Sequence, residues 1–210
     1  MDLPVFKNKI KETLIYYPVP KNANTSIKSI FASIMGIEDK FEYREDIPRF
    51  KRDETEILLS GGKPSITGFF KNYQQFVPVN VNYKICIIRD PIDRFISAYE
   101  NRILFHKDRK FYEYSVDKVL FELNNGNFRN RHFLPQTFFL GENLNYFTHV
   151  FKLNQLEQLC KVLEIFFNVD KIKIPHLQNG KNKKIKLSKY QIEKIHTIYK
   201  KDYILLDKFL

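Results

Sequence analysis

Tryptophan is missing from this chain altogether, cysteine and methionine occur twice each, and glycine only seven times in 210 residues. Two cysteines cannot build the multi-bridge framework of a small secreted domain, nor the four-ligand thiolate site of a structural zinc module. Cys86 lies inside an apolar run and Cys160 on the apolar side of a helical pattern, so both read as small buried hydrophobes, and no metal site is expected. No uninterrupted apolar stretch reaches the ~18–20 residues of a membrane span, and the first residues, with Pro4 and several lysines, lack the apolar core of a signal peptide. The expectation is a globular, cytoplasmic chain without a transmembrane segment.

What is present is a core and an excess of positive charge. Hydrophobic residues make up 43% and aromatics 15%, which excludes a mainly disordered chain, and 28% charged residues suit a hydrated surface. A chain of this length buries about two-thirds to three-quarters of its unfolded surface, and no linker or repeat divides it, so a single domain over residues 1–210 is expected. The net charge of +11 favours an anionic partner without choosing among nucleic acid, lipid, acidic polysaccharide and nucleotide phosphate. Part of the excess sits in "NGKNKKIK", 179–186, which reads as a solvated loop.

Apolar periodicity alternates between two kinds. "TLIYYPV" at 13–19, "YKICIIR" at 83–89 and "HVFKL" at 149–153 read as buried strands. Helical spacing follows each: Ile27, Ile30, Phe31 and Ile34; Ile92, Phe95, Ile96, Tyr99 and Ile103; and Leu156, Leu159, Cys160 and Leu163. A short helix is expected over 115–123, and Ser188 with Gln191 opens one long C-terminal helix through a capping box. Residues 38–65, with "SGGKP", read as loops around a short helix at 53–59. Strands alternating with helices predict an α/β fold, a three-layer sandwich around a central parallel sheet.

Two of the strand-to-helix turns carry chemistry. "PVPKNANTS", 18–26, places Lys21, Asn22, Ala23, Asn24, Thr25 and Ser26 where open parallel sheets collect anions on the unsatisfied N–H groups of a helix start. It has no glycine, and Lys21 does not stand next to Thr25 or Ser26, so it is not a Walker A loop. "RDPIDRFISAY", 89–99, supplies Arg89 at a strand end, with Arg94, Ser97 and Asn101 three and four apart on the helix, opposite the apolar stripe. Two such units side by side fit a ligand with two separated phosphate groups.

These two motifs resemble those of the carbohydrate-type sulfotransferases that use 3′-phosphoadenosine-5′-phosphosulfate (PAPS). "PKNANTS" is similar to the family's 5′-phosphosulfate loop and "RDPIDRFISAY" to its 3′-phosphate element; "RHFLPQ" at 131–136 and "IPHLQNGKNKK" with the helix ending "IYKKDYILLDKF" extend the likeness over about residues 13–209. The resemblance implies a P-loop-like nucleotide-binding fold and PAPS as sulfuryl donor with no metal requirement. It implies that Lys21 to Ser26 hold the 5′-phosphosulfate and that Arg89 and Ser97 hold the 3′-phosphate. The adenine side would fall to the loop Gln178 to Lys183, Lys181 included.

Sulfuryl transfer, like phosphoryl transfer, depends on positioning and on stabilising charge at the leaving oxygen, for which Lys21 is the candidate. For the base that takes the acceptor's proton, some family members carry a histidine where this chain has Phe69, in "ITGFFKNY". His132 and Glu100 are the replacements, followed by His106. Arg129 and Arg131 beside His132 are suited to an acidic acceptor, and the resemblance points to a carbohydrate or another hydroxyl-bearing molecule rather than nucleic acid. The rival readings are a kinase-like phosphotransferase, whose magnesium ligands would have to include Asp90 and Asp93, and a degenerate anion-binding module without turnover.

Overall fold

In a computed structural model of the chain, the described residues are 5–34, 36, 41–44, 47–50, 81–108, 111–128, 130–174 and 185–210. The elements that set the architecture are β1 (Val5–Lys7), β2 (Thr13–Tyr17), α1 (Asn24–Ile34), an antiparallel pair β3 (Phe41–Arg44) and β4 (Ile47–Phe50), β5 (Tyr83–Ile88) and α2 (Pro91–Tyr99). They are followed by α3 (Val116–Asn124), α4 (Gln136–Leu140), β6 (His149–Lys152), α5 (Leu156–Phe167), α6 (Lys189–Ile198) and α7 (Lys200–Leu206). A π-helical turn, Glu100–Phe105, continues directly from α2.

The central sheet runs β1-β2-β5-β6. β2, β5 and β6 are parallel, with Tyr17 opposite Cys86 and Cys86 opposite Val150. The expected all-parallel sheet is corrected at one edge, where β1 pairs antiparallel with β2 in the register Val5 to Ile15. Only a tight loop separates Lys7 from Thr13, and a parallel return requires a crossover of a dozen or more residues, so this connection permits only the antiparallel partner.

Strand alternation distributes the core to both faces. Leu14 and Tyr16 of β2, with Ile85 and Ile87 of β5, meet Ile27, Ile30 and Phe31 of α1 and Leu159, Leu163 and Phe166 of α5. Ile15, Tyr17, Cys86 and Ile88 point the other way, onto Phe139 and Leu140 of α4 and Leu206 of α7. Helices thus cover the sheet on two sides, and each fully buried large apolar side chain contributes ~1.5–3 kcal/mol. A third cluster, Phe95, Tyr99, Val119, Phe133, Ile195 and Tyr199 among its members, packs α2 against α3 and α6.

Local signals explain where the helices begin. Asp90 caps α2 by accepting a hydrogen bond from the Asp93 N–H at 3.0 Å, and Pro91 takes the first helical position, where its missing N–H costs nothing. Ser188 and Gln191 form the expected reciprocal capping box of α6. The single C-terminal helix of the sequence reading is instead two, broken at Tyr199, a buried residue whose hydroxyl donates to the Phe133 carbonyl at 2.6 Å. One buried residue after the break, Asp202, enters the site described next. The helix expected at 53–59 lies outside the described residues. No helix among the described residues is long and apolar enough to cross a membrane, and both cysteines are buried and free.

Candidate active site

β2 and β5 are neighbours in the sheet and run in the same direction, so the turns at their carboxyl ends emerge side by side. The first turn is strained. Lys21 and Ala23 have φ of 71° and 57°, left-handed values that cost an L-residue roughly 1–2 kcal/mol each and that a glycine would adopt freely. The Asn22 N–H donates to the Val19 carbonyl at 3.1 Å, and the Ala23 carbonyl accepts from the Ile27 N–H at 3.0 Å, which turns the chain directly into α1. Asn24 is held by Tyr16, whose hydroxyl donates to Asn24 Oδ1 at 2.9 Å. The hydroxyls of Thr25 and Ser26, partly buried in the first turn of α1, have no hydrogen-bond partner among the described residues.

Buried amides and a guanidinium lock this turn to the second one. Asn22 is fully buried, and its Nδ2 donates to the Ile87 carbonyl and to Gln136 Oε1, both at 2.7 Å. Gln136, also fully buried, accepts from the Arg89 N–H at 3.1 Å and donates from Nε2 to the Arg89 carbonyl at 2.7 Å. The Arg89 side chain closes the loop, since its Nη1 donates to the Lys21 carbonyl at 3.0 Å. Asp202 of α7 completes the support by accepting the backbone N–H groups of Gln136 and Thr137 at 2.7 and 2.8 Å. Burial raises the Asp202 pKa against the lowering effect of those two N–H groups and of Arg94.

Arg94 corrects one expectation. It lies on the buried face of α2 with Pro91, Phe95, Ala98 and Tyr99 rather than opposite the apolar stripe. Its Nε donates to the Pro20 carbonyl at 2.9 Å and its Nη1 to the Leu134 carbonyl at 2.7 Å, so it clamps protein backbone. Ser97, one turn further along α2, is partly buried, and its hydroxyl has no partner among the described residues. Asp90 serves as the cap of α2 and Asp93 is exposed.

The electrostatics of the site are those of cations assembled without enough anions. Burial, helped by Arg89, Arg102 and Arg94, pushes the Lys21 pKa down to about 8, and Glu100 only partly opposes this. His132 is pushed down to about 3, first by burial and then by Arg102, Arg131, Lys21 and Arg94. Lys21, Arg89, Glu100 and His132 therefore share one field. Arg102 is paired with Asp108, while Glu100 Oε1 accepts from the Ile185 N–H at 3.0 Å and anchors the start of the C-terminal helical segment beside the site. Among the described residues, Arg89 Nε and Arg94 Nη2 are buried donors without a partner, and Asn22 Oδ1 is a buried acceptor without one. Unsatisfied donors within a cationic cluster fit an anionic ligand with several oxygens.

His106 ends the π-helical turn and meets Phe105 edge-on. Lys181, with the rest of Gln178 to Lys183, and also Arg129 and Phe69 lie outside the described residues. Among the described residues no group of His, Cys, Asp and Glu could hold a metal ion. Sequence reasoning missed Asn130, Arg102, Asp108 and Asp202; their partners lie 2 to 66 positions away and only folding assembles them. The "PQ" of "RHFLPQ" marked Gln136 without indicating its bracketing of Arg89.

The comparison with known families agrees with this geometry. The model of the sulfotransferase family matches residues 6–208, nearly the whole chain, and the protein belongs to that family. No match appears among curated proteins or solved structures.

Proposed function

We propose that the chain is a PAPS-dependent sulfotransferase that transfers a sulfuryl group to a hydroxyl of a saccharide or related acceptor, acting as one catalytic domain of P-loop-like, nucleotide-binding design. The observation that carries this reading is the Asn22–Gln136–Arg89 bracket, which holds the two polar turns on adjacent parallel strands at a fixed separation. A donor with a phosphosulfate at one end and a 3′-phosphate at the other matches two such turns, whereas a nucleoside triphosphate keeps its charge in one chain.

In this reading the 18–26 turn binds the 5′-phosphosulfate through Lys21, Asn22, Ala23, Asn24, Thr25 and Ser26, and Arg89 with Ser97 binds the 3′-phosphate. Lys21 stabilises charge on the leaving phosphate oxygen. The acceptor oxygen forms a bond to sulfur while the bond from sulfur to the phosphate oxygen breaks. The bound donor's negative charge offsets the cations that depress the His132 pKa, the hydroxyl proton then passes to His132 Nε2, and adenosine 3′,5′-bisphosphate leaves. Glu100 holds the backbone at Ile185, four positions after Lys181 in the sequence. Arg131 near His132 favours an acidic acceptor.

Titration calorimetry with adenosine 3′,5′-bisphosphate and with ATP, on the natural chain, Lys21→Ala and Arg89→Ala, tests the reading. The bisphosphate is expected to bind at least about tenfold tighter than ATP, with each substitution costing about tenfold or more, the loss of roughly one charge-assisted contact. Equal affinity for ATP, or an Arg89→Ala variant with unchanged bisphosphate affinity, overturns it.

A further inference from the structure

We propose that Asn130 is a positioning residue for His132, holding its imidazole in the tautomer that carries hydrogen on Nδ1 and leaves the lone pair on Nε2; this rests on the sulfotransferase reading above, in which His132 takes the acceptor's proton. The arrangement is set by what each neighbour is able to donate or accept. Asn130 Oδ1 lies 3.1 Å from the His132 backbone nitrogen, a group that only donates. Asn130 Nδ2 lies 3.1 Å from Asp108 Oδ2, a carboxylate oxygen that accepts. Both contacts fix the amide in the same orientation, with its oxygen toward His132. That oxygen is also 3.0 Å from His132 Nδ1, and an acceptor so placed requires the ring hydrogen on Nδ1.

Nε2 is left as the basic atom, and it has no hydrogen-bond partner among the described residues. Asp108 is itself immobilised by Arg102, whose Nε donates to Asp108 Oδ2 at 2.9 Å and whose second guanidinium nitrogen pairs with Oδ1. The chain of contacts therefore runs Arg102, Asp108, Asn130, His132. Arg102 belongs to the π-helical turn, a local irregularity that recurs at functional sites and that here directs the guanidinium toward Asp108. Lys21, Arg94, Arg102 and Arg131 all act on the ring, and with burial they keep it neutral at pH 7, the state in which the choice of tautomer decides whether Nε2 accepts a proton. No carboxylate takes the place of Asn130, so the imidazole is oriented without a negative charge directly on Nδ1.

The test has two independent readouts. Nitrogen-15 NMR of the full chain at pH 7, with His132→Gln to assign the ring among only five histidines, reports the tautomer without any turnover. The expected result is a protonated Nδ1 and an unprotonated Nε2 in the natural chain, shifting toward a mixture of tautomers in Asn130→Leu. Sulfuryl transfer from PAPS is expected to fall roughly 10- to 100-fold in kcat in Asn130→Leu, with KM for PAPS little changed. Asp108→Asn, a second variant that keeps an acceptor oxygen for Asn130 Nδ2 and leaves Asn130 itself in place, should retain most of the tautomer signal. A natural chain with hydrogen on Nε2 overturns the proposal whatever its activity. Full kcat in Asn130→Leu overturns it while leaving the sulfotransferase reading intact; full kcat in His132→Gln overturns it and removes His132 as the base, with sulfuryl transfer itself upheld; absence of bisphosphate binding removes the sulfotransferase reading and the proposal together, even if the tautomer is as stated.

Discussion

Replacing Gln136 by methionine keeps the length of the side chain and removes its polar end from the centre of the site. Three buried hydrogen bonds disappear: those from Asn22 Nδ2 and the Arg89 N–H, and that to the Arg89 carbonyl. The links from the Gln136 and Thr137 backbone to Asp202 survive, because they do not use the side chain. At about 1 kcal/mol net per bond, with more for each buried group left unsatisfied, the cost is about 3–5 kcal/mol. In a chain of this size that lowers Tm by roughly 6–20 °C. Equilibrium urea unfolding measures it directly, with an unchanged slope showing that the unfolded state is the same. The Asn22→Leu variant should be coupled to it, so that the double variant loses at least about 1 kcal/mol less than the sum. A cost of Gln136→Met below about 1 kcal/mol, or strict additivity with Asn22→Leu, refutes the idea that this bracket holds the two turns together.

Ala23→Gly should stabilise the chain by about 0.5–1 kcal/mol, since φ of 57° burdens alanine and not glycine; a loss of stability in thermal melts would show that the turn is unstrained. Lys21→Met keeps the same backbone strain and removes only the charge. The folded-state pKa of Lys21, about 8, lies below the ordinary value of 10.5, so between those pH values the unfolded chain binds more protons and stability rises with pH. Relative to the natural chain, Lys21→Met should therefore be about 1–3 kcal/mol more stable at pH 7 and nearly equal above pH 10.5, with activity lost. Unfolding at several pH values checks it, and a constant difference across that range speaks against the cationic cluster.

Much of the fold was legible because it depends on local periodicity. The strands at 13–19, 83–89 and 149–153 alternate apolar runs with helical spacing, and each appears at β2, β5 and β6 within a residue or two. β1 escaped because three residues carry no period, and α4 because a five-residue helix is made by the N–H groups that Asp202 accepts. The break at Tyr199 escaped for a similar reason: both halves of the segment keep helical spacing, and the departure is associated with a buried hydroxyl reaching Phe133.

The sequence alone determined the strand-and-helix order, the two polar turns after β2 and β5, and the family likeness of their motifs, because each is a run of neighbouring residues whose types constrain their own backbone. Only the tertiary structure decided that Arg94 clamps backbone carbonyls, that Gln136 joins Asn22 to Arg89 across 114 and 47 positions, and that Asn130 orients His132. The physical reason is the direction of a hydrogen bond. Spacing along a helix or strand tells which face a polar side chain takes, but whether it meets a carbonyl, an N–H or a ligand depends on what distant segments bring to that face once water has been removed.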